Sequence, residues 1–583
     1  MLKYAYIMQN TNVDAVVLNK IITQINGLKT PDVDSVQKIL FKNPLKNQRV
    51  PRKSIVLAFF NDLVDTQKST GTNVFSFEEI KKIRLALQMK TTRTISGVTP
   101  VTVLTKPFPC PGKCIFCPSD VMMPKSYLSS EPGAQRAFAN KFDPYYQTYN
   151  RLCAYAGIGH PTDKIELIIL GGTWSVYPKE YQIWFVKRCF DAMNDFDADT
   201  FEFKNPEATM PYDENATKDD VHETTYNKQV SKRKVDITTE NATYDELFIS
   251  QKINETAKSR CVGLVVETRP EYVTDEELIH TRKLGATKVQ MGIQSLNDEV
   301  LELNKRGHTV EETKNAFKLL RKYGFKIHGH WMPNLYGSTP EKDIEDYKKL
   351  FTPDFCPDEL KIYPCSLIET AELMNYYKKD LWHPYSEQEL SKVLVEVFKN
   401  TPRYCRLTRV IRDIPSQEIV VGNKKTNFRQ VIEQELKNQN IKPVEIRSRE
   451  VRGKLIGIKD LDINIYEYPT STTKELFIEY ITKADELAGF LRLSLPFEYS
   501  FDNTKSAMIR EIHVYGQSIE IGLKEDGSPQ HTGLGKSLIE KAKQICKAEG
   551  FANLYVISSV GTREYYKKRG FVDSGLYQKL VTT

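Results

Sequence analysis

The chain has 583 residues, of which 40% are hydrophobic and 27% charged, and it carries a net charge of +7. That balance belongs to a soluble globular protein of three or four domains with ample chain for large cores. It excludes a membrane-spanning protein, since no apolar run is long enough, and ten cysteines in so long a chain do not make a disulfide scaffold. The opening Met1 to Tyr6 lacks the apolar region of a signal peptide, which predicts an intracellular, cytoplasmic protein. Residues 1–90 read as a helical region. Val17, Leu18, Ile21, Ile22, Ile25 and Leu28 keep the spacing of an amphipathic helix, and Val36, Ile39, Leu40 and then Ile55 to Leu63 continue it. Lys42, Lys46, Arg49, Arg52 and Lys53, then Lys81, Lys82, Arg84, Lys90 and Arg93, are interleaved. They suit either solvated helix faces or a surface that neutralises RNA phosphates.

From residue 98 the rhythm changes. Val101 to Thr105 is a short strand leading into Pro109-Cys110-Pro111-Gly112-Lys113-Cys114-Ile115-Phe116-Cys117-Pro118. Three thiolates in a C-x3-C-x2-C spacing can hold three irons of a [4Fe-4S] cluster and leave the fourth iron open to a reactant. This loop resembles that of radical S-adenosylmethionine (SAM) enzymes, in which SAM takes the open position. Ile115 and Phe116 would shield the cluster. Further buried strands are expected at 165–170, 261–267, 287–293, 325–330 and 359–363, with helices between them such as 310–323. Alternation of this kind means a parallel sheet. Six units predict an α/β fold with a partial (βα)6 barrel over residues 91–354, its chemistry at the carboxyl ends of the strands. Candidate residues fall at those ends: the three cysteines, then Gly171, Gly172 and Thr173, then Glu267 and Arg269, then Gln294 and Ser295. A polar stretch, 197–245, reads as an inserted, mobile surface segment without a motif.

Residues 355–460 read as a connector. Cys356, Cys365 and Cys405, with His383, could form a tetrahedral zinc site or be ordinary buried thiols; Arg403, Arg406, Arg409 and Arg412 share the stretch. Residues 461–583 have their own logic. Strands at 474–481, 488–495 and 508–515 precede Gln530-His531-Thr532-Gly533-Leu534-Gly535-Lys536-Ser537, which opens an amphipathic helix. Glycines at a helix start let backbone N–H groups approach a pyrophosphate. A strand at 554–558 and a helix at 561–568 follow, as in the acetyl-CoA site of the GCN5-related N-acetyltransferase fold. Tyr565 and Tyr566 lie where that fold presents a phenol to the thioester; adjacent helix residues point different ways, so one of them belongs to the core.

The ordered set of motifs resembles the family of Elongator catalytic subunits in its stand-alone prokaryotic form. The markers are the cysteine loop, Leu-Gly-Gly-Thr-Trp at 170–174, Val-Glu-Thr-Arg-Pro at 266–270, Gly-Ile-Gln-Ser-Leu at 292–296, Lys-Arg-Gly-His-Thr at 305–309, Leu-Lys-Ile-Tyr-Pro at 360–364 and the loop at 530–536. The resemblance covers nearly everything from Arg93 onward apart from the insertion; Ser448 stands where many members have cysteine. It implies carboxymethylation at C5 of the wobble uridine of tRNA, with acetyl-CoA as carbon donor, SAM and a [4Fe-4S] cluster as radical source, and an electron donor that the sequence does not name. Gln530, Gly533, Leu534, Gly535, Lys536 and Tyr566 would bind acetyl-CoA, and Gly171, Gly172, Thr173, Glu267 and Gln294 would bind SAM. Tyr565, Tyr566 and Lys305 are the expected catalytic residues. Lys305, Arg306, His308, Lys361 and Tyr363 suit contacts to phosphate or base as well as structural ion pairs. Two other readings compete: a protein lysine acetyltransferase, for which no acidic residue stands in a clear general-base position, and a tRNA-binding protein with a structural cluster.

Overall fold

The computed structural model describes residues 14–582 apart from 30, 47–48, 72–73, 90–93, 95, 199, 207–225, 228–229, 231–238, 413, 426, 453–455, 457 and 516–532, and without the side chains of 68, 69, 77 and 81. Two compact units emerge: residues up to 94 with 150–162 and 197–203, and the remainder of the chain.

In the first unit the expected helical periodicity becomes four helices, Asp14–Asn26, Val33–Lys42, Lys53–Thr70 and Phe77–Leu87. Their apolar stripes meet in one core that includes Leu18, Ile21, Ile25, Leu40, Leu57, Phe60 and Ile83. Several of the interleaved cations serve that packing. Lys53 Nζ donates to Ala86 O at 2.9 Å, Arg84 Nε donates to Asn61 Oδ1 at 3.1 Å, and Lys82 donates to Asn26 O. Lys42, Lys46, Arg49 and Arg52 remain exposed. Lys90 and Arg93 lie outside the described residues.

The second unit holds two sheets. The first runs β1 Thr99–Leu104, β2 Lys164–Leu170, β3 Arg260–Thr268, β4 Lys288–Gln294, β5 Lys326–Trp331 and β6 Glu359–Ile362. All neighbours are parallel, as in a partial barrel. The sheet does not stop at six. Between the two strands of a short antiparallel pair, β7 Leu367–Ile368 and β9 Ile419–Val421, the strand β8 Arg406–Arg409 adds to β6 as a seventh parallel strand. The stretch read as a connector thus supplies β6 and β8 to the barrel sheet. Three of its arginines are held in ion pairs: Arg403 with Glu479 and Asp485, Arg406 with Glu450, and Arg412 with Glu131. The insertion also differs from expectation. Tyr226 and Val230 are buried against Leu104, Val121 and Met123, so this part of 197–245 is packed into the barrel unit.

The barrel interior is polar along its length. Lys288 Nζ bridges Glu166 Oε1 at 2.5 Å and Glu359 Oε2 at 3.1 Å. His328 Nε2 meets Thr408 Oγ1 at 2.9 Å, and His330 Nε2 meets Gln290 Oε1 at 3.0 Å. Buried polar groups of this kind persist when each finds partners.

The second sheet runs in the order β10 Leu461–Pro469, β11 Thr473–Thr482, β12 Leu487–Pro496, β13 Ala507–Val514, β14 Asn553–Val556, β16 Tyr577–Val581 and β15 Val572–Ser574. Only β13 and β14 pair in parallel, over three residue pairs from Ala507↔Leu554 to Ile509↔Val556, after which β13 continues to Val514 paired with β12 but not with β14. The two strands part there, beside the amino end of the helix Leu534–Ala548. That helix buries Leu534, Leu538, Ile539 and Ala542 against β11 to β14.

The two sheets are joined at the amino-terminal ends of the barrel strands by buried ions. Asp358, just before β6, accepts from Arg510 Nη1 and Nη2, both at 2.7 Å, and lies 3.4 Å from Arg492 Nη1. Arg510 also donates to Glu475 Oε2 at 2.7 Å, and Arg321 reaches the same carboxylate at 3.3 Å. Farther along, Arg282 Nη2 donates to the main-chain oxygens of Ser558 and Leu576, and Gly561 lies so close to β3 that a Cβ would come within 2.9 Å of Cys261 O.

Candidate active site

The cysteine loop leaves the carboxyl end of β1. Cys110 and Cys117 are half-buried and Cys114 is buried. Ile115 is fully enclosed by residues such as Leu128, Val300 and Leu335. Its main chain is tied on both sides, Ile115 N donating to Asn304 O at 3.3 Å and Leu373 N donating to Ile115 O at 2.7 Å. Two guanidiniums face one sulfur: Arg306 Nη1 donates to Cys114 Sγ at 3.1 Å, and Arg269 Nη1 lies 3.7 Å from it. Arg306 is oriented by Gly292 O at 2.7 Å and Arg269 by Glu271 and Arg306 O. Gly112 makes room for this arrangement, because a Cβ there would collide with the Arg269 guanidinium.

The electrostatics differ among the three thiols. Burial works against the Cys114 thiolate, yet Arg306 and Arg269 outweigh it and hold the thiol below its usual value. Burial pushes Cys117 up to about 11, with Lys125 and Ser126 opposing. Burial raises Cys110 too, aided by Cys114 and opposed in part by Thr173. Among the described residues no three His, Cys, Asp or Glu side chains gather as a mononuclear metal site requires. A cluster makes no such demand, since each thiolate takes its own iron. Three mutually interacting thiols, one stabilised as the anion, fit that donor set.

The residues around the loop come from successive strand ends. After β2, Gly171 (φ +146°) and Gly172 (φ +82°) hold backbone conformations that L side chains rarely adopt, and a Cβ on Gly171 would strike the Thr105 side chain. Tyr177 OH locks this corner, donating to Lys106 O at 2.9 Å and to Gly171 O at 3.0 Å. At the end of β3, Glu267 is approached by Tyr127 OH at 3.3 Å and His330 Nδ1 at 3.6 Å. Burial raises its pKa, opposed by Lys361 and Arg412. Burial pulls Lys361 down to about 8, with Glu267 opposing, and its ammonium donates to Gln290. At the end of β4 the register shifts and Gln294 adopts φ +66°. Its Oε1 is buried without a partner, an acceptor available to a bound donor such as the SAM ammonium. Ser295 is already committed, donating to Asp346 Oδ2 at 3.1 Å. His308 is buried beside Glu271 at 3.7 Å; burial, with Arg306 and Arg269, keeps it neutral with a pKa of about 2. Lys305, by contrast, stands half-exposed in an ion pair with Glu372.

In the acetyltransferase-like sheet, Gly533 caps the helix start with φ +78°, and Leu534, Gly535 and Lys536 form its first turn. Gln530 lies outside the described residues. A Cβ at Gly535 would strike the Tyr565 hydroxyl, so this phenol, with the Arg569 guanidinium 3.3 Å from its ring centre, lies against the glycine turn. Tyr566 turns the other way, into the core with Phe571 and Leu538.

The zinc expectation is corrected. Cys356 Sγ donates to Thr352 O at 3.2 Å, Cys365 sits among Leu367, Ile368 and Trp382, Cys405 is fully buried, and His383 pairs at the surface with Asp380. The donors do not converge, and the cysteines act as small buried hydrophobes. Sequence reasoning missed Tyr127, Gln290 and His330 in the polar interior, and Asn227, whose side chain meets the main chain of Cys110. One signal was available: His328 and His330, two apart in a strand, share a face.

A parallel partial barrel with its cysteine loop at the end of β1 is the architecture of the radical SAM superfamily, whose family model matches residues 109–350, with the Radical SAM C-terminal domain matching 357–438. The chain is 40% identical to the tRNA uridine(34) acetyltransferase of Methanocaldococcus jannaschii, over 86% of this chain and 88% of the relative. It is 30% identical to human Elongator complex protein 3 over 84% and 85% of the two chains. The solved structure of Methanocaldococcus infernus Elp3 with an N-terminal deletion superposes with a TM-score of 0.67 at 35% identity, covering 84% of this chain and 100% of that one. The chain belongs to this family of tRNA uridine(34) acetyltransferases and Elongator complex protein 3 proteins.

Proposed function

We propose that this protein builds a carboxymethyl group on C5 of the wobble uridine of tRNA anticodons, with acetyl-CoA as the carbon source. The observation that carries the reading is the presence, in one compact unit, of the arginine-backed cysteine loop and the parted β13–β14 pair with its glycine-started helix. A [4Fe-4S] cluster on Cys110, Cys114 and Cys117, with SAM at the open iron, would supply a hydrogen-abstracting radical, and acetyl-CoA the two-carbon unit. Arg306 and Arg269 stabilise the Cys114 thiolate, and Gln294, with its unpartnered Oε1, Glu267, Gly171, Gly172 and Thr173, at the neighbouring strand ends, would hold SAM. The main-chain N–H groups that follow Gly533 would hold the pyrophosphate of acetyl-CoA, and Tyr565 packs against the turn at Gly535. The substrate uridine has to leave its stack to reach such a site. Lys305, half-exposed and paired with Glu372, keeps further N–H donors with which to meet a phosphate. Exposed Lys42, Lys46, Arg49 and Arg52 are the cations of the first unit best placed to neutralise phosphates. No described helix is long and apolar enough to cross a membrane; a tRNA substrate and an oxygen-sensitive cluster suit a reaction in the cytoplasm, served by a one-electron donor.

The test is anaerobic reconstitution followed by incubation with tRNA, SAM, reductant and acetyl-CoA carrying carbon-13 in the methyl group. Mass spectrometry should find the label in the methylene attached to C5 of uridine. Unlabelled modified uridine, or label only on protein lysines, would overturn the reading.

A further inference from the structure

The cysteine loop is poor in its own hydrogen-bonding capacity. Pro107, Pro109 and Pro111 carry no N–H, so around the first cysteine the donors are few, and Cys110 has both an N–H and a C=O to satisfy. The partner comes from the polar insertion. Asn227 accepts from Cys110 N at 3.1 Å and donates from Nδ2 to Cys110 O at 3.0 Å, a two-point contact like that of a paired strand. Its neighbours hold it in place. Tyr226 is 1% exposed and its hydroxyl donates to Met123 O at 2.9 Å, the Lys125 ammonium lies 5.0 Å from its ring centre, and Val230 is 0% exposed. Glu240, at the other end of the insertion, pairs with Lys106, four residues before Cys110.

We propose that Asn227 is a positioning residue for the cluster. The insertion clamps the main chain of Cys110, so that this thiolate stays aimed at its iron and the cluster is retained. The inference rests on the cluster assignment made above. The clamp acts on one ligand of three: the Cys114 segment is tied instead by Asn304 and Leu373, and Cys117 N donates to Cys114 O at 3.2 Å. Loss of the clamp therefore frees Cys110 selectively.

The full-length protein is reconstituted anaerobically as wild type, Asn227→Ala and Asn227→Asp. Three quantities are measured: the loss of cluster absorbance to excess iron chelator, the electron paramagnetic resonance of the reduced cluster, and the alkylation rates of Cys110 and Cys117 in the cluster-free protein. Removing two hydrogen bonds to a half-buried main chain should speed cluster loss about tenfold in Asn227→Ala. Asn227→Asp keeps the shape and one acceptor but sets an oxygen against Cys110 O, so it also loses the cluster faster than wild type. Alkylation should accelerate at Cys110 and not at Cys117, and the resonance should broaden as one ligand becomes heterogeneous. Should Asn227→Ala fail to fold, the isosteric aspartate variant carries the test. Wild-type rates of cluster loss in both variants, or equal acceleration at Cys110 and Cys117, would overturn the clamp. A wild-type protein that never assembles a [4Fe-4S] cluster would instead overturn the assignment beneath it.

Discussion

Asp358→Asn tests the joint between the two sheets. The carboxylate is fully buried and faces Arg510 at 2.7 Å through both oxygens, with Arg492 at 3.4 Å. It also accepts from Ile327 N at 2.9 Å. Burial alone would raise its pKa, but Arg510 and Arg492 more than offset this and hold the carboxyl well below the usual carboxylate range. The asparagine keeps the volume and removes the charge, leaving buried guanidiniums short of their counter-ion. Breaking a buried pair in this way costs about 3–5 kcal/mol. The larger unit unfolds with an entropy of about 1 kcal/mol per kelvin if its residues behave as average ones, so Tm should fall by about 3–5 °C in scanning calorimetry. A depressed carboxyl pKa stabilises above the unfolded value near ~3.9 and ceases to do so as pH falls through the folded value. The difference between wild type and Asp358→Asn should therefore be full at neutral pH and shrink below about pH 4. Replacing both partners, Asp358→Leu with Arg510→Met, should recover part of the loss, because the unpaired charge goes with its partner. A Tm change below about 1 °C for Asp358→Asn, beneath the range expected for a broken buried pair, would refute the view that the joint is held by these ions.

Three other substitutions probe the sites. Gly112→Ala should drive the Arg269 guanidinium away from Cys114 and lower the iron content after reconstitution, while circular dichroism of the apoprotein stays as in wild type. Gly535→Val should push Tyr565 out of the glycine turn and abolish acetyl-CoA binding measured by calorimetry, with tRNA affinity unchanged by filter binding. Lys361 is held protonated below its folded pKa of about 8 at the cost of burial, so between that value and the unfolded one near ~10.4 the unfolded chain binds more protons and this group's contribution to stability rises with pH. Urea midpoints measured across that window should rise less, or fall more, in Lys361→Met than in wild type.

Six barrel strands could be read from the sequence because short apolar runs, such as Leu167 to Leu170, alternate with helical segments. The seventh could not: Arg406-Leu407-Thr408-Arg409 is short and mostly polar, and only its place beside β6 makes it a strand. The cysteine loop and the glycine pair were legible because their chemistry demands those residue types at those spacings. The second layer was not. Arg269 and Arg306 lie 37 positions apart, and nothing local announces that both reach the sulfur of Cys114. Tyr565 and Tyr566 illustrate the limit in miniature. Adjacency guaranteed that they diverge, but only the packing of Phe571 and Leu538 decides which one turns inward. The cysteines of 355–460 left two readings open because sulfur is as much an apolar filler as a metal ligand. Asn227 was hidden by its surroundings, since a polar segment looks alike whether it is solvated or docked.

The buried ions at Asp358 bear on how such a protein can be altered by recombination. An acetyltransferase sheet cut from this chain would carry Arg492, Arg510 and Glu475 on a face that had been sealed, without Asp358 and Arg321 to balance them. The barrel would lose the counter-charges of Asp358 at the same stroke. Neither half is a module that can be lent to another chain unchanged, and a graft that succeeds has to transplant both sides of the seam or replace them with an apolar pair.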